Sequence, residues 1–291
     1  MQLQTTDEKP AYWKSAVSRV TDEKVYVRGY DLEDLIGEIS FTAATFLLIR
    51  GRVPSPEEAR ALDAVLSGVL DYALEKPGTV AARYVVSANP SMAIGMSAAC
   101  MAVGKHTLAT EDTGRFILAA HQEYLESGLP LKEFAGGKVD RMRQAKERIP
   151  GLGHPVFKKV DPRGALLRQI AVEGGLWSEA AETYEALHHA FTQLPGKADI
   201  PINDVGVMAA VMLSLGFSPE EGTGIAILST LPGVIAHVSE ELTGGKPIRV
   251  VPREGVKYTA NTDGDFAADM ARAGWGDKGS EGPMGSPGSE L

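Results

Sequence analysis

Apolar residues recur at three- and four-residue intervals along most of the chain, the spacing of amphipathic helices. The pattern starts at Asp31–Gly37 and returns in Phe41–Arg50, where Ser40 stands at the N-cap position. Ser55-Pro56-Glu57-Glu58 is a helix start with proline in the first turn and a glutamate placed to close a capping box. The helix it opens carries Ala59, Leu62, Val65, Leu66 and Val69 on one face, and Ser218-Pro219-Glu220-Glu221 repeats the signal. Ser91–Val103 and Val205–Leu215 are apolar on every side and are expected to be buried nearly all round. The first is rich in Ala and Gly, which suits either a core helix or a helix-on-helix dimer contact. Only Val25–Arg28 and Ile248–Val251 read as short strands. With no strand–helix–strand alternation, a doubly wound sheet is excluded and the expected fold class is all-α.

Composition narrows the function classes. A chain of 291 residues, 44% hydrophobic, can bury a sizeable core as one large domain or two smaller ones. A net charge of −9 and a pI near 5.3 argue against nucleic acid or an anionic membrane as partner. The longest apolar run, Ser91–Val103, falls short of the roughly 20 residues a bilayer span needs. The N-terminus lacks a basic-then-apolar signal layout. Cys100 is the single cysteine, set among small apolar neighbours, which points to a buried structural thiol and a reducing compartment. The expected setting is the cytoplasm. Residues 277–291, rich in Gly, Ser and Pro, have nothing to bury and are expected to be a disordered tail.

One loop changes the picture. In RIPGLGHPVFKKVDPRG, residues 148–164, a histidine follows a Gly-Leu-Gly turn, and proline stands on either side of the group. Between Lys138 and Arg168 nine basic residues face three acidic ones, a local excess of six positive charges in an acidic protein. A run of charge is commonly a solvated face. Here it surrounds a glycine loop whose backbone N–H groups can reach a ligand, beside lysines that can hold phosphate. A small phosphorylated anion is the ligand this composition suits. No Walker A pattern is present, which excludes a P-loop nucleoside triphosphatase.

The segment PGLGHPVFKKVDPR resembles the signature of the citrate synthase superfamily, in which a glycine-bracketed histidine precedes a basic stretch and Asp-Pro-Arg. Arg28–Leu32 with Phe46–Pro54 is similar to the family's N-terminal helices, and Ile200–Asp204 resembles the segment that carries its catalytic aspartate. The likeness covers almost the whole chain up to the tail. It implies an all-α fold of two parts, with residues 1–103 and 207–276 forming a large helical domain. Residues 104–206 would form a small domain carrying the coenzyme A loop and closing over substrate. It also implies a homodimer. The activity implied is formation or cleavage of a C–C bond between an acyl-CoA and a 2-oxo acid or related ketone, through a thioester enolate.

By the same resemblance Asp204 is the base, His154 faces the ketone oxygen and His106 faces the thioester oxygen. Pro150, Gly151, Leu152 and Gly153 lie against the adenine end of coenzyme A or acetyl-CoA, Lys158 and Lys159 are candidates for its phosphates, and Arg163 binds a substrate carboxylate. The residue types suit the chemistry on their own terms. An α-proton beside a thioester is weakly acidic, so a carboxylate base needs a donor waiting for the oxygen charge that develops, and a neutral imidazole can supply it without a metal. Each residue also has a plainer reading: Asp204 as the cap of the helix beside it, His106 as a polar helix end. His121, His188, His189 and His237 fit structural positions, and no spacing resembles a zinc site.

Two positions depart from the family's pattern. Thr230 stands where an arginine is usual, and Val251-Pro252-Arg253 replaces Arg-Pro-Arg. Losing such a contact to a buried carboxylate costs about 2–5 kcal/mol, enough to change which substrate is preferred, unless Arg253 or Arg249 compensates. The chain is shorter than ordinary citrate synthases and closer to stand-alone citryl-CoA lyases and the matching module of ATP-citrate lyase. Synthesis and cleavage therefore both stay open. So do a coenzyme A-binding regulator without turnover and a condensing enzyme with a partner other than oxaloacetate.

Overall fold

Short hydrogen-bonded side chains mark where most of the helices begin in the computed structural model, which describes residues 11–71, 73–260 and 264–275. A small antiparallel sheet comes first, β1 (Ser18–Val20), β2 (Val25–Val27) and β3 (Tyr30–Asp31), with Arg19 opposite Tyr26 and Tyr26 opposite Asp31. The helices follow as α1 (Leu32–Leu35), α2 (Phe41–Arg50), α3 (Pro56–Gly68), α4 (Pro77–Ala88) and α5 (Met92–Met101). Then come α6 (Thr110–Ser127), α7 (Leu131–Ala145), α8 (Pro162–Glu173), α9 (Glu179–Thr192), α10 (Asp204–Ser214) and α11 (Pro219–Gly244). Contacts divide the chain at Ile248. The second unit, from Arg249, holds a 3₁₀ turn at Arg253–Gly255 and α12 (Phe266–Arg272), capped by Asp265. The segment expected to be a disordered tail, 277–291, lies outside the described residues.

The local signals act where the sequence puts them. Ser40 accepts from Ala43 N at the head of α2, and Ser55 with Glu58 and Ser218 with Glu221 form complete capping boxes. α3 buries Ala61, Leu62 and Val65. The expected helix over 31–37 shortens to the single turn α1, capped by Asp31.

The core of the first unit has two main hydrophobic clusters. Phe46, Leu62, Val65, Leu167, Met208, Met212 and Ile225 belong to one, drawn from α2, α3, α8, α10 and α11. Ile117, Phe134, Val139, Tyr184 and Leu187 of α6, α7 and α9 belong to the other. α10 serves both, turning Val207, Met208, Val211 and Met212 to the first and Ala209 and Ala210 to the second. A helix wedged between two cores needs apolar residues all round, which accounts for the pattern of Val205–Leu215. Each large side chain enclosed this way contributes about 1.5–3 kcal/mol.

Three expectations change. α5 buries only Gly95 and Ala99, while Ile94 is exposed and Met101 is 86% exposed. Gly95 explains the buried side: a Cβ there would lie 2.7 Å from both Val86 and Val238, so the helix backbone closes directly on α4 and α11. Among the described residues nothing covers the other side of α5, and Cys100 is half-buried rather than enclosed. Ile248–Val251 forms no strand; Ile248 sits in the left-handed region (φ 54°), which breaks an extended run. Finally, α11 is long and apolar enough to cross a bilayer, a length the apolar-run count overlooked. Here it packs against α3, α4, α5, α6 and α10 and buries Ile225, Ala226, Val234 and Val238.

Candidate active site

Three pieces of backbone converge: the loop 150–154, the head of α8 and the head of α10. Gly151 and Gly153 both adopt positive φ, 75° and 88°, which lets the loop fold back on 201–203. It is fastened there by Gly153 N to Pro201 O (2.8 Å), Asn203 N to Gly151 O (2.9 Å) and Asn203 Nδ2 to Gly153 O (2.8 Å). Tyr184, fully buried, donates its hydroxyl to Pro150 O at 2.7 Å, and burial pushes that hydroxyl's pKa far up, so it stays a neutral donor. Asn203, not Asp204, caps α10, through Gly206 N at 2.9 Å. The capping role considered for Asp204 therefore belongs to its neighbour, and the Asp204 side chain turns elsewhere.

It turns to Arg163. Arg163 Nη1 lies 2.9 Å from Asp204 Oδ2, Nη2 lies 2.9 Å from Asp161 Oδ2 and Nε lies 3.2 Å from Asp161 Oδ1. The side chain of Asp161 is fully enclosed and that of Asp204 nearly so, whereas Arg163 is 36% exposed. Burial raises the Asp161 carboxyl, but the Arg163 guanidinium and the backbone N–H groups of Arg163 and Asp204 outweigh it and hold the pKa below the ordinary value. The donor atoms of His154, Asp161 and Asp204 lie within 4.8 Å of one another, a spacing that suits a cation. In this arrangement the guanidinium supplies the positive charge.

The tautomer of His154 follows from its contacts. Nδ1 accepts from the backbone N–H groups of Val156 (3.1 Å) and Phe157 (3.0 Å), so the ring proton belongs on Nε2. Phe157 stacks beside the ring at 4.7 Å between centroids and also lies under the Arg163 guanidinium. Nε2 and Arg163 Nη2, 3.3 Å apart, are therefore both donors. An oxygen in front of the two would accept from each.

A cavity of about 600 Å³ opens beside Leu152 and Gly153. Val139, Met142, Phe191 and Leu194 give it apolar walls, and Arg143, Lys146, Arg148 and Lys197 bring four cations against one anion, Glu147. Lys158 and Lys159 do not line it: Lys158 Nζ reaches His154 O at 3.2 Å, and Lys159 pairs with Asp199.

The structure thus brings His154, Arg163 and Asp204 together. His106 is exposed at the tip of a tight turn closed by two hydrogen bonds between Gly104 and Thr107. Arg253 belongs to the second unit, where it is exposed. Thr230 is buried in α11 and returns its hydroxyl to Ile227 O. Among the other histidines, His121 meets Thr183, His188 meets Ile200 O and His237 meets Asp71. Asp161, Asn203 and Lys197 were not singled out in the sequence. An Asp before a helix-starting Pro is a readable cap signal for the first, whereas nothing local marks the last.

Comparison with known proteins gives the same direction. The model of the citrate synthase C-terminal domain matches residues 53–251. A citrate synthase of Mycolicibacterium smegmatis is 27% identical over 209 residues, 68% of this chain and 51% of that protein. One from Deinococcus radiodurans is 30% identical over 205 residues, 68% of this chain and 52% of that protein. The chain spans about half the length of the curated relatives it matches. Among solved structures, citryl-CoA lyase from Hydrogenobacter thermophilus superposes with a TM-score of 0.80 at 32% identity, covering 90% of this chain and 100% of that one. ATP citrate lyase from Methanothrix soehngenii, in complex with citrate and coenzyme A, shares the fold (TM-score 0.73, 22% identity, 88% of this chain and 43% of that one). From the matched residues 53–251 and these relatives, the chain belongs to the citrate synthase family.

Proposed function

We propose that this protein makes or breaks the C–C bond of a citryl-type thioester, joining the α-carbon of acetyl-CoA to a keto acid or separating them, with cleavage as the leading reading. The observation that carries it is the convergence of Asp204, Arg163 and His154 on one point beside a cation-lined cavity. The likeness to a citryl-CoA lyase, over 90% of this chain and 100% of that one, supports cleavage over synthesis.

In the forming direction Asp204 takes the α-proton, the enolate carbon attacks the ketone, and the ketone oxygen becomes an alkoxide. That oxygen belongs in front of His154 Nε2–H and Arg163 Nη2, two fixed donors in a site that needs no reorganisation as charge develops. The same steps in reverse cleave the bond. Arg163 also has the planar fork that suits a substrate carboxylate. His106 is the proposed donor to the thioester oxygen, its turn moving toward His154 and Asp204 as substrate binds. The thioester's nucleotide end fits the cavity, with Pro150–Gly153 along its edge, Arg143, Lys146, Arg148 and Lys197 at its phosphates, and Lys158 and Lys159 further out.

Thr230 favours one variation. A hydroxyl that folds back on its own helix offers no bidentate grip, which suits a keto acid with fewer carboxylates than oxaloacetate. The exposed apolar side of α4 and α5, with Val80, Val85, Ile94 and Met101, is the proposed homodimer face.

The test is incubation with acetyl-CoA in deuterated water, alone and with oxaloacetate, beside a citryl-CoA cleavage assay. Deuterium in the methyl group and release of a keto acid, both lost in Asp204→Asn, are the expected result. Coenzyme A binding without exchange or cleavage would identify a binding protein instead.

A further inference from the structure

The guanidinium of Arg163 has two edges, each able to grip a carboxylate with two nitrogens, and they are used differently. The side-on edge is closed, Nε and Nη2 both meeting Asp161 at 3.2 and 2.9 Å. The end-on edge is divided, Nη1 facing Asp204 Oδ2 at 2.9 Å and Nη2 facing His154 Nε2 at 3.3 Å. Asp161 is itself held by two backbone donors, Arg163 N at 3.0 Å and Asp204 N at 3.2 Å. One enclosed carboxylate therefore ties the first turn of α8 to the first turn of α10 and fixes the guanidinium between them.

The geometry points to Asp161 as a positioning residue that closes the side-on edge of Arg163, aims the end-on edge at the substrate carboxylate, and keeps Arg163 from gripping Asp204 with two nitrogens. This rests on the reading of Asp204 as base and Arg163 as carboxylate binder. The physical reason is competition. A bidentate guanidinium–carboxylate pair is stronger than a single-nitrogen contact, so an arginine with a free side-on edge would turn it to Asp204. Asp161 removes that choice because it is buried, anionic and already oriented by two N–H groups. An arriving carboxylate then meets the end-on edge, where Asp204 holds one nitrogen rather than two.

Asp161→Asn keeps the size and removes the charge. Misaiming the arginine is expected to raise the KM for oxaloacetate on the order of 10²-fold. The KM for acetyl-CoA should stay within about twofold, because its cavity shares no group with Asp161. Deuterium exchange into acetyl-CoA should fall in Asp161→Asn and recover about tenfold in Asp161→Asn/Arg163→Gln, since removing the arginine releases the base. Asp161→Glu, which retains the charge, serves if the amide variant does not fold, and should show the same KM split at smaller size. Parallel rises in both KM values, or a double variant no faster than Asp161→Asn, would overturn the role of Asp161 alone. Wild-type protein that neither exchanges protons with any keto acid nor cleaves citryl-CoA would overturn the functional reading beneath it.

Discussion

Gly151 and Gly206 meet backbone to backbone. A Cβ on Gly206 would lie 2.7 Å from Gly151 O, and a Cβ on Gly151 would lie 2.7 Å from Gly206 Cα and closer still to the Tyr184 hydroxyl. The contact sets the spacing between the loop that carries His154 and the helix that carries Asp204. Gly206→Ala must push them apart, because the opposing atoms are main chain and a buried ring. The expected cost is about 1–3 kcal/mol of stability, read by urea unfolding, with turnover reduced further than the lost stability explains.

On the proposed mechanism, Asp204→Asn removes the base while keeping nearly the same shape. Turnover and methyl deuterium exchange should fall on the order of 10²–10⁴-fold. Coenzyme A affinity by titration calorimetry should be unchanged, because the cavity beside Gly153 is lined by other residues.

The cavity cations separate the proposed phosphate contacts from those the family resemblance implies. Replacing Arg143, Lys146, Arg148 or Lys197 with alanine should each weaken coenzyme A binding by about 1 kcal/mol, and less at high salt. Lys158→Ala and Lys159→Ala should matter less, since neither lines that space. Binding measured at two ionic strengths decides between the two sets.

Asp161 gives the protein a specific acid sensitivity. Its folded pKa lies below the ordinary 3.8, so its stabilising contribution is complete above that value and is lost as pH falls through the lower folded one. The stability gap between wild type and Asp161→Asn should be widest above the ordinary 3.8 and narrow as the solution is acidified below it. Denaturant midpoints across that range measure it.

Met101 is the most exposed apolar residue of α5 and sits beside Val85, Ile94 and Ala98. If this side covers a second copy, Met101→Glu should shift the protein toward monomer in sedimentation velocity and leave the monomer folded, because the side chain is 86% exposed among the described residues. A wild-type monomer would dismiss the proposed dimer face.

Much of the fold follows from the sequence alone, and for one physical reason. A serine that accepts from an amide three residues ahead decides its helix start with no help from elsewhere, as Ser40, Ser55 and Ser218 do. The family itself was likewise readable from short motifs, among them the glycine-bracketed His154 and the segment ending at Asp204. What tertiary structure alone decided depends on which distant segments face each other. α10 was visibly apolar all round, but that it divides two cores was not. α5 carries the same composition and leaves one side open, since burial depends on neighbours and composition only permits it. The closure of Arg163 on Asp161 and Asp204 joins residues 43 positions apart across two helix heads. Which cations line the cavity, Arg143, Lys146, Arg148 and Lys197 but not Lys158 or Lys159, is set by where α7 and the turn at Lys197 come to rest. Hydrogen bonds within a turn are written in adjacent residues, whereas the aim of a long charged side chain is set by packing that brings remote residues together.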